Sequence, residues 1–402
     1  MDLIEEIRAS DAPKVKVAIT DIDGVLRGKY LHRDKFLSAL DGGFGFCDVV
    51  FGWDSGDQTY DNTHLTGWHH GFPDAMVRLD PATGRRVPWD GDVPFFLGDF
   101  VTAAGKPHPI CPRQVLKRVL ARAKKMGYTA MVGAEYEFFN FAETPQSWAA
   151  KNGVDPTPIT SGMFGYSVLR AGQNRGYFNA LMDDCAAFRL PIEGLHTETG
   201  PGVYEVALAF TEALEAADRA TLFKTAAKEI GGRFGIMPSF MAKWSARYPG
   251  CSGHLHQSLS DGRKNLFHDP KGRHGGMSKL FESYLAGQLA YLLEFAPMFW
   301  PTVNSYKRLV DGFWAPVKPT WGVDNRTATF RVLPGSPKAT RLETRAPRTL
   351  IETTRIFRES KMARDWFGDD FVEHFAATRE WEWRQWLDAV TDWELKRYFE
   401  II

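Results

Sequence analysis

The chain has four cysteines, Cys47, Cys111, Cys185 and Cys251, and no two of them stand at CxxC spacing. That scarcity excludes a dense disulfide framework and the common zinc-ligand spacings, and it suits a reducing compartment, with the cytoplasm expected. Charge of one sign is lacking too, because 49 Lys plus Arg balance 49 Asp plus Glu. A balanced chain has no overall field to draw it to nucleic acid or to an anionic membrane, so its partners are expected to be small molecules recognised by local charge. No apolar run reaches membrane-spanning length. The most apolar stretch, Leu285 to Trp300, is interrupted by Gln288, Glu294 and Pro297 and reads as a buried helix. The opening MDLIEEIRAS is acidic and lacks the basic-then-apolar order of a secretion signal. Neither internal repeats nor low-complexity segments occur.

What is present is apolar material in quantity: 44% of the 402 residues are hydrophobic, enough for one large domain and a smaller one. The run VKVAITDID, Val15 to Asp23, is rich in β-formers, and in the DGVLRGKY that completes it Gly24 and Gly28 are expected to punctuate a turn. Further short strands are expected to about Thr102, which makes residues 1–105 a small β-rich domain. PRQVLKRVLARAKKMG then reads as a helix, with Pro112 at its start, Val115, Val119, Leu120 and Ala123 at helical spacing, and Gly127 as a stop. Beyond it, helices such as Glu212 to Glu229 alternate with short strands whose polar residues recur at every second position, the pattern of an antiparallel sheet facing a wet cavity. Residues 106–402 are therefore expected to form an α+β catalytic domain.

The chemistry-bearing residues sit on such strands. In GAEYEFFNF, Glu135 and Glu137 stand two apart, so both carboxylates leave one face about 7 Å from each other and can converge on a pair of cations. HTETGPGVYEVAL reads as two strands joined by a Gly-Pro-Gly turn, with Glu198 and Glu205 on either side and Tyr204, Val206 and Leu208 on the opposite, apolar face. In SGHLHQSL the alternation sends His254, His256 and Ser258 to one side. Taken singly, each of these also fits a solvated strand edge, a surface carboxylate or a core histidine. Arg308, Arg326 and Arg331 come from NSYKRLVDGFWAPVKPTWGVDNRTATFRVL, and Arg341, Glu343 and Arg345 from TRLETR at a two-residue period. Arginine stays charged when buried and offers a planar fork to phosphate or carboxylate, although Glu343 between two arginines also fits an ordinary ion-pair ladder. Gathered in one cavity, Glu135, Glu137, Glu198, Glu205 and Glu343 would bring five negative charges that protonation or cations must relieve. Oxygen-rich ligation with one imidazole suits Mg²⁺ or Mn²⁺, and beside clustered arginines the expected chemistry is phosphoryl transfer from a nucleotide.

The ordered set of DGVLRGK, the ExEFF strand, HxE followed by GPGxYE, FMAK, SGHLHQSL, NSYKRL, the NRT strand and RLETR resembles the glutamine synthetase superfamily over most of the chain. The resemblance implies an α+β fold with an N-terminal β-grasp domain and a catalytic domain whose curved antiparallel sheet is flanked by helices. It implies stacked homo-oligomeric rings, a dodecamer among them, with each active site between neighbours and the catalytic Asp54 of GWDSGD supplied by the neighbour. Carried over motif by motif, Glu137, Glu198 and Glu205 look like the ligands of one metal and Glu135, His254 and Glu343 like those of the second, so at least two ions per site are expected. His256 and Ser258 resemble nucleotide contacts, Arg326, Arg331 and Arg341 phosphate contacts, and Gly250, Arg308 and Arg345 contacts to glutamate; Arg326 and Arg345 count among the catalytic groups as well. The implied activity is an ATP-dependent ligase in which the γ-phosphate passes to the glutamate side chain and an amine attacks the γ-glutamyl phosphate.

Four departures qualify that implication. After NSYKRL the family usually continues to a Tyr-Glu-Ala-Pro whose glutamate takes the proton from ammonium, whereas this chain reads GFWAP, with Trp314 in that place and Phe313 beside it. A neutral indole takes up no proton and adds apolar surface, which favours an organic amine such as an alkylamine or a weakly basic arylamine. Asp54, Asp57 and Asp61 keep a polyamine open, and an ordinary glutamine synthetase or a catalytically silent scaffold remain the alternatives. Val203 and Pro249 stand where the family often has glutamine and asparagine. After RLETR the chain passes directly from Arg345 to APRTLIETTRIF, so a loop and helical stretch expected there is missing, and apolar surface is expected to be exposed in consequence.

Overall fold

The computed structural model describes residues 3–11, 13–309, 316, 318–344, 349–392 and 397. In the N-terminal part, β1 (Lys14–Thr20), β2 (Leu26–His32), β3 (Phe44–Cys47), β4 (Asp74–Leu79), β5 (Arg85–Val87) and β6 (Val93–Val101) form a mixed sheet in the order β2-β1-β6-β4-β3, with β5 on β6. β1 runs parallel to β6, and the other pairs are antiparallel. Strand β1 forms because Val15, Val17 and Ile19 alternate onto one buried face, where they meet Phe36 of the helix Arg33–Gly42. This is the β-grasp half expected from the resemblance. The proposed boundary near residue 105 falls between β6 and the next helix, Pro112–Lys125.

Gly24 does make the β1–β2 turn, at φ 75°, while Asp21 Oδ1 accepts the N–H groups of Asp23 and Val25. Gly28 does not belong to that turn. It lies in the middle of β2 opposite Ala18, and a Cβ there would collide with the Val17 carbonyl oxygen, so the glycine serves close strand approach instead.

The C-terminal part is built on a second, curved sheet. Its strands are β7 (Thr129–Phe141), β8 (Ile192–Thr197), β9 (Val203–Leu208), β10 (Thr211–Glu212), β11 (Met237–Ser239), β12 (Gly253–Ser260), β14 (Trp321–Val323), β15 (Phe330–Leu333) and β16 (Arg341–Thr344); β13 (His268–Gly272) stands apart. The order is β14-β15-β16-β12-β7-β9-β8, with β10 and β11 on β7, and all pairs are antiparallel except β14 with β15. One face is apolar: Phe138, Tyr204, Val206 and Leu208 pack on Leu222, Phe223, Ala226 and Ile230 of the helix Ala213–Gly232. The other face carries the acids and histidines. The Pro112 helix ends at Lys125, with Gly127 at φ 87° just beyond, as the spacing predicted.

The single buried helix expected from Leu285 to Trp300 is two pieces. One helix covers Lys279–Tyr291, and a separate short turn of helix covers Ala296–Phe299, with Pro297 at its start. Proline lacks the N–H that would continue the first helix and is at home in the first turn of a new one. Met298 and Phe299 are each 37% exposed, so this end is not buried either.

Candidate active site

The polar face of the second sheet gathers its groups by register. Glu135 of β7 lies directly opposite His254 of β12, and Glu137 opposite Glu205 of β9. His256 lies opposite Glu343 of β16, which lies opposite Arg331 of β15. A two-residue period within each strand therefore becomes a continuous polar row across five strands.

Among the described residues, two groups hold donor atoms within 4.8 Å of one another: Glu135, His254 and Glu343, and His196, Glu198 and Glu205. Both offer carboxylate oxygens with a single imidazole, a donor set suited to Mg²⁺ or Mn²⁺. In the first group His254 Nδ1 lies 3.3 Å from Glu135 Oε2 and 3.9 Å from Glu205 Oε1, while His256 Nε2 lies 3.0 Å from Glu135 Oε1. Burial works against ionisation of Glu135, yet its bonds to His254 and His256 prevail and hold its carboxyl well below the usual range. Glu205 goes the other way. Burial first, and the neighbouring Glu137 charge second, push its carboxyl up to about 8. This is the charge conflict that five converging acids predict, and a divalent cation is its natural relief.

Glu137 is aimed by the chain that leads into β12: Ser252 donates to its Oε2 from both the backbone N–H at 2.7 Å and the hydroxyl at 3.1 Å. Glu198 Oε2 accepts the Thr199 N–H at 2.8 Å at the mouth of the turn containing Gly200 and Gly202. Arg331 donates to Glu343 at 2.9 Å and to Asp324 at 2.6 Å, an ion pair across strands with an arginine other than the two that flank Glu343 in the sequence, and Glu343 also belongs to the first donor group. Arg341 Nε donates to His256 Nδ1 at 2.9 Å, fixing which His256 nitrogen faces Glu135. Ser258 lies on the same side of β12, two residues beyond His256. Arg326 acts electrostatically on the Tyr166 phenol, which stands beside Glu198 and Glu205.

Gly250 and Arg308 are direct neighbours, since a Cβ on Gly250 would strike the Arg308 side chain and the Ala242 carbonyl. Asn304 ties the NSYKRL segment to the FMAK segment by paired bonds with the Lys243 backbone, at 2.8 Å and 2.9 Å. Asp54 lines the same cavity as Glu137, His254 and Arg308, but its bonds go to other groups: Oδ1 accepts the N–H groups of Gly56 and Gln58, and Oδ2 accepts Trp381 Nε1 at 3.0 Å. Phe313, Trp314 and Arg345 lie outside the described residues.

Two residues of this site were missed in the sequence. His196 stands opposite Glu205 and joins the second donor group, and Tyr166 stacks on it at 4.4 Å. His196 was findable, because it precedes Glu198 by the same two-residue step that singled out Glu135 and Glu137. Tyr166 had no such signal. It is held by its N–H bond to the Thr197 carbonyl and by the Ser167 bond to Thr197 Oγ1, contacts between segments 30 residues apart in the chain.

A β-grasp half joined to a curved sheet bearing paired acid and histidine groups defines a glutamine-synthetase-type protein. The family model for the glutamine synthetase catalytic domain matches residues 109–350 and 345–398. The chain belongs to the glutamine synthetase family. Among its relatives, type-1 glutamine synthetase 2 of Dictyostelium discoideum is 46% identical over all of this chain and 86% of its own. Glutamate–isopropylamine ligase of a Pseudomonas species is 32% identical, covering 96% of this chain and 95% of its own. γ-Glutamylethanolamide synthetase GlnA4 of Streptomyces coelicolor is 33% identical, covering 98% and 94%. The solved structure of GmaS with ADP has the same fold, with a TM-score of 0.84 at 23% identity over 99% of both chains. No helix among the described residues is long and apolar enough to cross a membrane.

Proposed function

We propose that this protein joins the γ-carboxyl of glutamate to an organic amine at the cost of ATP, as a γ-glutamylamide synthetase. The observation that carries the reading is the polar row itself, two carboxylate-and-imidazole groups flanked by Arg331 and Arg341. In this reading Glu135, His254 and Glu343 hold one Mg²⁺ or Mn²⁺, and Glu137, Glu198 and Glu205 the other, with His196 alongside. The cations supply neutralisation of the ATP phosphates. Arg326, Arg331 and Arg341 orient those phosphates, His256 and Ser258 the rest of the nucleotide, and Gly250, Arg308 and Arg345 the glutamate.

The glutamate γ-carboxylate oxygen attacks the terminal phosphorus and ADP leaves. The amine nitrogen then attacks the γ-carbonyl carbon, phosphate leaves, and the nitrogen gives up a proton. Trp314 in place of a carboxylate supports an amine that arrives neutral or brings apolar substituents, and two relatives bear names of organic-amine ligases. Asp54 acting from a neighbouring subunit, a ring-shaped homo-oligomer and a cytoplasmic setting belong to the same proposal.

A second reading, glutamine synthesis from ammonia, is favoured by the printed name of the 46% identical relative. Phosphate release from ATP with glutamate and Mg²⁺, measured across ammonia, isopropylamine, ethanolamine, putrescine and aniline with mass spectrometry of the products, separates the two. An organic γ-glutamylamide formed faster than glutamine is the expected result. Faster turnover with ammonia overturns the first reading, and absence of both turnover and nucleotide binding overturns enzymatic function altogether.

A further inference from the structure

A second cavity, of about 210 Å³, lies where the β-grasp sheet rests on the helix Ala213–Gly232, and it shares no lining residue with the cavity that holds Glu137 and His254. Its floor is the face of β1 and β2 opposite to Val15, Val17 and Ile19, where the register sets Lys16 beside Tyr30 and Ala18 beside Gly28. Phe95 of β6, which pairs with Lys16, extends that face. Thr225, Ala226 and Glu229, at helical spacing, belong to the facing wall. Phe188 and Trp89 also line the space, their rings packed edge to face at 5.0 Å. The hollow has a cause in the sequence. Ala18 and Gly28 put the two smallest side chains at one register position, and Ala226 adds a third small one from the helix. A larger residue at position 28 is barred by the Val17 carbonyl oxygen, 2.3 Å from where its Cβ would lie. Close-packed interiors leave few voids larger than a water molecule, so a space of this size between two domains is a candidate ligand pocket.

The charged groups stand at its solvent end. Ala18, Phe95, Phe188 and Ala226 are buried, whereas Tyr30 is 47% exposed and the Lys16 and Glu229 side chains are part-exposed. Lys16 Nζ lies 3.3 Å from Asp90 Oδ2 and 3.5 Å from Glu229 Oε1. Asp90 Oδ2 also accepts the Tyr30 hydroxyl, and Glu229 Oε2 accepts Trp89 Nε1. The Lys16–Glu229 contact is therefore the looser of the two, and it bridges the sheet and the helix. A ligand carrying one charge would separate that pair and leave either the ammonium or the carboxylate without its partner, which is costly. A zwitterion replaces both partners at once, its carboxylate meeting Lys16 and its ammonium meeting Glu229 Oε1.

We infer that this pocket binds a free α-amino acid with an apolar side chain, the side chain in the hollow over Ala18 and Gly28 and the two charges between Lys16 and Glu229. Size sets the upper limit. An apolar cavity of about 150 Å³ takes up a benzene molecule, so a space of about 210 Å³ accommodates a benzyl or isobutyl group with little to spare. Phe95, Phe188 and Trp89 offer such a group aromatic contacts. The occupant would touch both the β-grasp sheet and the helix whose Phe223 packs on Tyr136 and Phe138 of β7, the strand that carries Glu135 and Glu137.

The test titrates L-phenylalanine and L-leucine against the full chain by calorimetry and saturation-transfer NMR, with and without saturating L-glutamate. Saturable binding of at least one of them at one site per chain, unchanged by glutamate, is expected. 2-Phenylethylamine and 3-phenylpropanoate each lack one of the two charges and should bind at least tenfold more weakly than L-phenylalanine. Ala226→Leu fills the hollow and should abolish binding. Because that change can disturb the helix, Lys16→Met is made as well, at the part-exposed end, and should weaken binding at least tenfold in a chain whose circular dichroism matches the parent. Absence of saturable binding of both amino acids overturns the inference. So does binding that survives Lys16→Met, or binding of 2-phenylethylamine as tight as that of L-phenylalanine. Loss of binding on addition of glutamate places the ligand in the catalytic site instead and overturns it too.

Discussion

Replacing Glu205 by glutamine is expected to stabilise the metal-free protein and to weaken the metal-loaded one. The Glu205 carboxyl is mostly buried and faces Glu137, and its pKa is raised from 4.5 to about 8 by burial and then by that neighbouring charge. A carboxyl raised in the folded state binds a proton that the unfolded chain has released. Its stabilising contribution is therefore complete below pH 4.5 and is lost as pH climbs toward 8. Each pH unit in that window is worth about 1.4 kcal/mol, so at pH 7 the wild-type chain carries a penalty of about 3 kcal/mol that an uncharged amide avoids. Local relaxation and water entry reduce such figures, and a gain of about 1–3 kcal/mol is expected for Glu205→Gln at pH 8 in EDTA. The gain should shrink toward pH 5. Saturating Mg²⁺ should reverse the order, since a cation at a hundred times its Kd adds about 2.7 kcal/mol to the wild type and the amide binds it poorly. Urea unfolding at pH 5, 6.5 and 8, with EDTA and with Mg²⁺, reads all of this. A variant no more stable than wild type in EDTA at pH 8 would refute the reasoning.

Gly250→Ala forces a methyl group into Arg308 and the Ala242 carbonyl. It should cost about 1–3 kcal/mol and raise the KM for glutamate with the KM for ATP unchanged; an unaltered glutamate KM removes Arg308 from the glutamate site. Glu343→Gln takes the charged partner from Arg331 and an anionic oxygen from the first donor group, so Mn²⁺ affinity by calorimetry should drop at least tenfold, and undiminished affinity would exclude Glu343 as a ligand. His374 is fully buried, and burial pushes its pKa down to about 3, so the unfolded chain alone takes up a proton below about pH 6.5. Stability should therefore fall by about 2 kcal/mol from pH 7 to pH 5 through this group, and His374→Gln should flatten that slope, an equal slope in both proteins showing that His374 does not contribute.

The polar row of acids and histidines was legible in the sequence because strand geometry is local. A two-residue step fixes which side chains share a face, and GAEYEFF, SGHLHQSL and RLETR each display it without any tertiary information. The same locality located the Pro112–Lys125 helix between its proline and its glycine. Gly28 was misread for the complementary reason. A glycine that permits a turn and a glycine that lets two strands approach look alike until the neighbouring strand is known. Likewise, nothing near Leu285 to Trp300 revealed that a new helical turn starts at Ala296, because a proline both ends one helix and opens another.

The sequence by itself determined the family, the strands that bear the acids and histidines, and the excess of negative charge that calls for divalent cations. It also showed that a segment is missing after Arg345. Only the tertiary structure decided which acid meets which imidazole. Glu135 faces His254, Glu137 faces Glu205, and His196 completes the second group through the β8–β9 register. The structure likewise decided that opposite pKa directions fall on Glu135 and Glu205, two carboxylates that the sequence could not tell apart. Side-chain alternation is a property of one strand, whereas register and burial depend on groups distant in the chain that only folding brings within a few ångströms.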